Sequence, residues 1–127
     1  MQVQTGIDII EVNRIQEAIE KQGEGFLQRV YTENEIADCE HTGKMKYQHY
    51  AARFAAKEAV YKAISDKLIA EIGDFWTKIE IQNEENGKPI ANLEKLDLKN
   101  VESMDLSLSH LAEYAVASFV IMFSNEY

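Results

Sequence analysis

The chain has 127 residues, the usual size of one domain, and 46% of them are hydrophobic, which is enough to bury a core. Its formal net charge of −9, from 22 acidic and 13 basic residues, argues against nucleic acid and anionic membrane surfaces as main partners. The sequence has no apolar run approaching the roughly 18 residues of a spanning helix, and its opening MQVQTGIDII lacks the pattern of a signal peptide. We expect a single domain over residues 1–127 that is soluble and cytoplasmic.

The first predicted elements are a strand and a helix. Residues 3–10 form a short apolar pattern that contains one acid, Asp8, and they predict a strand. Residues 11–22 have apolar side chains at helical spacing, so they predict a helix. Gly23 and Gly25 follow directly, and we expect them to end that helix.

A short apolar piece at residues 26–30 precedes a second helix start. Thr32 with Glu35 three residues later has the spacing of a capping box, in which each side chain satisfies a backbone N–H, and this predicts a helix over 33–39. The longest helical pattern follows at residues 46–65, which are rich in strong helix formers and free of glycine and proline. We expect this segment to be the central helix.

The second half of the chain predicts two hairpins. Residues 76–82 alternate as a strand, Asn86-Gly87 is a strong hairpin-turn signal, and residues 89–93 predict the returning strand. Residues 106–109 alternate as a further strand, and a largely apolar final strand follows at residues 114–123. This order of elements predicts an α+β fold in which one long helix lies across a small, mostly antiparallel sheet.

Two carboxylates are candidates for chemistry. Asp8 lies in a half-buried strand pattern, where a lone carboxylate needs a cation or donors, unless it turns outward or caps the next helix. Glu58 and Lys62, four residues apart, project from one face of the central helix. They could form an ordinary surface ion pair, but Phe54 one turn earlier indicates that this face is not simply solvent. If Asp8 and Glu58 meet, they offer an oxygen-rich half-site for Mg²⁺, which fills its other positions with water and phosphate oxygens.

A histidine, His110, stands where one predicted strand turns into the next. A histidine at such a place is either a turn residue or a catalytic one, and spacing does not decide between the two. The residues alone therefore indicate a magnesium and diphosphate site on Asp8 and Glu58, and they name no substrate.

Five segments give the chain a family resemblance. It resembles the holo-acyl-carrier-protein synthases, the small single-domain branch of the 4′-phosphopantetheinyl transferases. The segments, in chain order, are GIDIIEVNRI at 6–15, FLQRVYT at 26–32, RFAAKEAVYKA at 53–63, NGKP at 86–89, and Ser109-His110 with Ala115 and Ala117. Each motif is weak alone, but five in order cover almost the whole chain.

This resemblance implies transfer of the 4′-phosphopantetheine group of coenzyme A to a serine of apo-acyl-carrier protein, in support of fatty acid biosynthesis, with release of adenosine 3′,5′-bisphosphate. It implies that Asp8 and Glu58 hold Mg²⁺ and that Lys62 lies at the same site, so these three are the catalytic residues. It also implies a homotrimer with active sites between subunits. The residues implied to bind coenzyme A are Arg53, Lys62, Lys88, Pro89 and His110.

The acidic carrier protein requires a local basic surface on this net acidic chain. The resemblance places Arg14 on the helix that receives the carrier. Lys21, seven residues later, lies on the same helix face, and Arg29 follows in the next apolar piece. We expect Arg14 and Lys21, together with Arg29, to form a basic strip that binds the carrier protein.

One segment departs from the family pattern. Many relatives have a glycine-rich turn directly after the central helix, whereas this chain has SDKLIAEIG at residues 65–73. We expect Ser65 or Lys67 to replace the contacts that those glycines make with coenzyme A.

Two other functions stay open from the sequence. A non-catalytic module on the same fold would bind acyl-carrier protein or a nucleotide without turnover; the altered segment favours it, and the presence of Asp8 and Glu58 opposes it. An enzyme that acts on carrier domains of peptide or polyketide synthases would share the chemistry. The single-domain length opposes this second function, because the broad-range relatives resemble two fused copies.

Overall fold

The computed structural model describes residues 1–68 and 74–125. Its strands are β1 (Gln2–Glu11), β2 (Glu80–Asn83), β3 (Pro89–Asn92), β4 (Val101–His110) and β5 (Tyr114–Phe123). Its helices are α1 (Val12–Gln22), α2 (Glu24–Val30), α3 (Glu33–Glu40), α4 (Lys46–Ile64) and α5 (Phe75–Lys78). Short 3₁₀ turns cover Gly43–Met45, Ser65–Lys67 and Glu94–Leu96.

The strands form two antiparallel sheets within the described residues. In the larger sheet β5 lies between β1 and β4, and in the smaller one β2 pairs with β3 as a hairpin. Helix α4 packs against β1 and β5 of the larger sheet, and apolar side chains of the helix and the sheet form the main core. The predicted α+β fold, with a long central helix on a small antiparallel sheet, is confirmed.

Small residues bring α4 close to β1. Ala55, Ala59 and Ala63 are buried, and their spacing of four places them on one stripe of the helix. Opposite this stripe lies Gly6 of β1, where a Cβ atom would overlap the carbonyl oxygen of Ala59. The backbones of strand and helix are therefore in direct contact two residues before Asp8.

A second apolar cluster joins the first three helices to the first half of α4. The rings of Tyr31 and Tyr50 lie 4.9 Å apart, and the Tyr31 hydroxyl donates to the Tyr50 carbonyl oxygen over 2.8 Å. The predicted capping box is present, since the Thr32 hydroxyl accepts from the Glu35 N–H and the Glu35 carboxylate accepts from the Thr32 N–H. The predicted start of α3 is thereby confirmed.

The outer face of the larger sheet carries a row of exposed apolar side chains. Side chains along β1 alternate with the strand period of two, and Val3, Ile7 and Ile9 are 56%, 65% and 63% exposed. Val120 of β5, which pairs with Thr5, extends this row across the sheet. Single exposed apolar residues are ordinary, but a contiguous patch of them marks an interaction surface.

Two predicted details are wrong. The strand predicted over 76–82 begins only at Glu80, because Phe75–Lys78 form α5. The reason is tertiary: the Trp76 ring stacks on Phe54 of α4, with centroids 4.9 Å apart. Gly25 lies inside α2, together with the apolar piece at 26–30, and Gly23, at φ 58°, alone separates α1 from α2.

Among residues 1–68 and 74–125, no helix is both long enough and apolar enough to cross a membrane.

Candidate active site

Asp8 and Lys62 form an ion pair between β1 and the last turn of α4. The Asp8 side chain is only 15% exposed. The Lys62 Nζ donates to Asp8 Oδ1 over 3.2 Å and to the carbonyl oxygen of Ile7 over 3.0 Å. Lys62 is 52% exposed, so the fold holds the carboxylate in place while the cation reaches it from the solvent side.

Glu58 lies one turn before Lys62 on the same face of α4. Burial raises the pKa of its carboxyl group, the negative charge of Asp8 raises it further, and Lys62 opposes both effects. The structure thus brings together the three side chains that the sequence singled out as catalytic. The two carboxylates repel each other, and a bound cation would relieve that repulsion.

A cleft of about 400 Å³ lies at this group. Asp8 and Glu58 line it, together with the ring of Phe54, the side chain of Arg14 from α1, and Tyr114 at the start of β5. We call its aromatic lining, Phe54 and Tyr114, the aromatic wall of the cleft. Glu11 adds a third carboxylate to the lining. The guanidinium of Arg14 gives the same cleft a basic group.

The donor set of the cleft fits Mg²⁺. This ion binds through one or two protein carboxylates and keeps water or phosphate oxygens as its other ligands, and the cleft presents Asp8 and Glu58. Among residues 1–68 and 74–125, no three or more histidine, cysteine, aspartate or glutamate side chains group into a metal site.

Arg53 lies on another side of α4. It is five residues before Glu58, so the two side chains are roughly 140° apart around the helix axis. Arg53 is 4% exposed, and its Nη2 lies 3.9 Å from Oδ2 of Asp38 in α3. Within one chain, Arg53 therefore does not join the two carboxylates.

His110, at the end of β4, lies near the first half of α4. Its Nδ1 is 2.7 Å from Oε1 of Gln48, and its ring centroid is 5.3 Å from that of His49. Burial lowers the pKa of His49, and the positive charges of Arg53 and His110 lower it further. Sequence spacing gave His49 no role, but the structure adds it to the group formed by Arg53 and His110.

Lys88 and Pro89 lie on the hairpin of β2 and β3. The predicted turn at Asn86-Gly87 is present, with Gly87 at φ 88°, and Pro89 begins β3. The Lys88 Nζ lies 2.8 Å from Oδ1 of Asp105 in β4, and this hydrogen bond raises the pKa of Lys88. The ion pair ties the hairpin to the larger sheet.

The segment that departs from the family pattern is described only in part. Ser65–Lys67 forms a 3₁₀ turn, whereas residues 69–73 of the predicted coenzyme segment lie outside the described residues. The Lys67 Nζ donates to Oε1 of Gln2 over 2.8 Å and lies 5.1 Å from the centroid of the Phe123 ring. Lys67 thus packs on the ends of β1 and β5.

The residues predicted for carrier binding are exposed. Arg14 and Lys21 project from α1, and Arg29 lies at the end of α2. The Arg29 Nη2 donates to Oε1 of Gln22 over 2.6 Å. The three cations therefore lie on two consecutive helices, and Arg14 is the one that reaches the cleft.

The chain is similar to known proteins along almost its whole length. The 4′-phosphopantetheinyl transferase superfamily matches residues 4–119. A holo-[acyl-carrier-protein] synthase of Ruminiclostridium cellulolyticum is 42% identical over 132 aligned residues, with 100% of this chain and 97% of the relative covered. A synthase of Chloroherpeton thalassium is 43% identical over 94% of this chain and 97% of its own. This chain belongs to the holo-acyl-carrier-protein synthase family.

Solved structures of the synthase family share the fold. The synthase of Bacillus anthracis, crystallised in complex with CoA (3′,5′-ADP), has 37% identity and a TM-score of 0.75 over 95% of this chain and 96% of its own. The Helicobacter pylori synthase in complex with coenzyme A has 32% identity and a TM-score of 0.74, over 93% of this chain and 99% of its own.

Sequence spacing in this synthase missed one buried pair, Lys57 and Glu35. Both side chains are fully buried, and the Lys57 Nζ lies 2.6 Å from Oε1 of Glu35. Burial lowers the pKa of Lys57, and the charge of Glu35 opposes that effect. The capping box identifies Glu35 in the sequence, but Lys57 lies 22 positions away. No local pattern shows that a lysine of a predicted helix is buried.

Proposed function

We propose that this synthase transfers 4′-phosphopantetheine from coenzyme A to a serine of apo-acyl-carrier protein, in support of fatty acid biosynthesis. The products are holo-carrier protein and adenosine 3′,5′-bisphosphate. The observation that carries the proposal is the cleft lined by Asp8 and Glu58, with Lys62 paired to Asp8 beside it, in a chain 42% identical to a named synthase along its full length.

The catalytic roles follow from charge. In the reaction the serine hydroxyl gives up its proton to water or to the Glu58 carboxylate, and its oxygen bonds to the β-phosphorus. The bond from that phosphorus to the bridging oxygen breaks, and the electron pair leaves with adenosine 3′,5′-bisphosphate. Negative charge grows on the diphosphate oxygens, and the Lys62 ammonium, already at the cleft, offsets it. Mg²⁺ held by Asp8 and Glu58 would supply Lewis-acid neutralisation of the same charge.

Coenzyme A binding is proposed to involve Arg53, Lys88, Pro89 and His110 in addition to Lys62. Arg53 and His110 lie on a different side of α4 from Glu58, which supports a coenzyme that spans two copies of the chain. The exposed row of Val3, Ile7 and Ile9 supports an interface on the outer face of the sheet. We therefore propose a homotrimer with an active site at each contact between subunits.

The carrier protein is proposed to dock on α1. Arg14 lines the cleft and Lys21 lies on the same exposed side of the helix, so a negatively charged carrier helix would bring its serine to Asp8 and Glu58. We further propose that the enzyme is one domain over residues 1–127, located in the cytoplasm, with no nucleic acid or membrane partner.

A direct assay tests this function. The protein is incubated with coenzyme A, Mg²⁺ and apo-acyl-carrier protein, and mass spectrometry measures the gain of one phosphopantetheine on the carrier serine. The gain is expected on the fatty acid carrier. No gain on any carrier would contradict the proposal and favour the non-catalytic binding module, and a gain restricted to peptide or polyketide synthase carriers would change the substrate.

A further inference from the structure

The ammonium group of Lys57 is held from three directions inside the protein. Lys57 is 0% exposed. Its Nζ donates to Oε1 of Glu35 over 2.6 Å, to the carbonyl oxygen of Val30 over 2.7 Å and to that of Trp76 over 2.8 Å. These three acceptors use all three protons of the ammonium group, so the position of Nζ is fixed relative to α2, α3 and α5.

Glu35 completes this buried network. Its Oε1 also accepts from the Thr32 N–H over 2.8 Å, and its Oε2 accepts from the Ile81 N–H over 2.7 Å. A buried ion pair often contributes no more stability than well-packed apolar residues of the same volume. What this pair supplies is geometry, because it joins α4 to the start of α3 and to β2 at defined distances.

The network reaches the active-site cleft through Trp76. The Trp76 carbonyl is bound by Lys57, and its indole ring stacks on Phe54 with centroids 4.9 Å apart and planes at 19°. Phe54 lines the cleft one turn before Glu58. The place of the aromatic wall therefore depends on where the Trp76 backbone is held.

We propose that Lys57, together with Glu35, is a positioning residue of this enzyme, which fixes the Trp76–Phe54 stack and thereby the aromatic wall of the cleft. Lys57 acts through Trp76 and does not touch the reacting groups. The kinetic part of the proposal rests on the proposed transfer of phosphopantetheine, whereas the structural part does not.

The test combines Trp76 fluorescence with kinetics. Trp76 is the single tryptophan of the chain, so its emission reports this stack without labelling. The variant is Lys57→Met with Glu35→Gln, which removes both charges, keeps similar side-chain volumes and leaves an amide at position 35 that can still cap α3. The matched control is Leu106→Ala, which opens a cavity in the main core and lowers stability, at a side chain that makes none of the hydrogen bonds of the network.

The expected result separates positioning from stability. Well below both melting temperatures, the double variant should show a shifted Trp76 emission and stronger acrylamide quenching. Its kcat/KM for coenzyme A should fall roughly tenfold, while its KM for the carrier stays near that of the wild type. Leu106→Ala should match the wild type in all of these readouts despite its lower melting temperature.

Three outcomes would overturn the proposal. The first is a folded double variant with wild-type Trp76 emission, and the second is a double variant whose kinetics equal those of Leu106→Ala. If the double variant does not fold, Phe54→Leu decides, because an unchanged kcat/KM for coenzyme A in that variant means that the wall has no role. If the wild type shows no transfer activity, the proposed function is wrong. The comparison of Trp76 emission would still decide whether Lys57 holds Trp76.

Discussion

The Lys62 Nζ lies 3.2 Å from Oδ1 of Asp8, so a half-exposed cation on the last turn of α4 pairs with a largely buried carboxylate of β1. The side chains differ in exposure, at 52% for Lys62 and 15% for Asp8. If Asp8 holds Mg²⁺ as proposed, the half-exposed Lys62 would be free to turn from the carboxylate to a phosphate oxygen of the substrate.

Lys62→Ala should lower the rate of transfer by roughly 10- to 100-fold, because a positive charge beside the developing negative charge is lost. Lys62→Arg should retain part of the activity, because it keeps the charge. Lys44→Ala, which removes an exposed lysine from the turn before α4, is the control. Steady-state kinetics with coenzyme A measure the effect, and a wild-type rate in Lys62→Ala would remove this lysine from the mechanism.

Asp8→Ala and Glu58→Ala should each lower turnover by roughly 100-fold or more, because each removes one of the two carboxylates proposed to hold Mg²⁺. Both variants should stay folded and trimeric. Chelation of divalent metal should stop the wild-type reaction, and added Mg²⁺ should restore it. Calorimetric titration with Mg²⁺ gives a second readout, in which both variants should lose binding.

Glu102→Ala, at an exposed carboxylate of β4, is the control for these two variants and should behave as the wild type. Near-normal turnover of Asp8→Ala or Glu58→Ala with Mg²⁺ present would contradict the metal assignment.

Charge reversal in Arg14→Glu should raise the KM for the acyl-carrier protein roughly tenfold and leave the KM for coenzyme A little changed, because opposite charges steer and orient an acidic partner. Lys21→Glu should act in the same direction. Lys99→Glu reverses an exposed charge outside the proposed strip and serves as the control. Parallel changes in both KM values, or no change in either, would show that the basic strip is misplaced.

Ile7→Lys should dissociate the proposed trimer, because it places a charge within the exposed apolar row of β1 at a side chain that is 65% exposed in the isolated chain. Sedimentation velocity should show a single-chain species, with transfer activity lost. Met45→Lys makes a similar change at an exposed apolar residue off the sheet and should leave the assembly intact. An assembly that survives Ile7→Lys would place the subunit contact elsewhere.

Local signals predicted much of the fold. The helical spacing before Ile64, the Asn86-Gly87 turn and the capping box of Thr32 and Glu35 each act within a few residues, and all three elements are present. Helix α5 was missed because a short apolar run fits a strand and a helix equally well. The contact of Trp76 with Phe54, 22 positions earlier in the chain, decides between them.

The sequence predicted the residues of the candidate site but did not show whether Asp8 meets Glu58 and Lys62. Spacing places Glu58 and Lys62 on one helix face, but no local pattern shows that Asp8 turns toward that face. The family resemblance supplied the substrates, and it grouped Arg53 and His110 with Glu58. Within one chain, Arg53 lies on another side of α4 from Glu58, because residues five apart on a helix do not share a face. His110 lies at the end of β4, against Gln48 and His49 in the first half of α4.

The contact between Gly6 and the Ala59 carbonyl makes the spacing of β1 from α4 a property of the two backbones. A strand that already touches the helix main chain cannot move inward to compensate for a shorter carboxylate, and any side chain at position 6 would push it outward. In a library of all substitutions, we therefore expect position 6 to accept glycine only. What this position contributes to the enzyme is the absence of a side chain, which lets the two backbones touch.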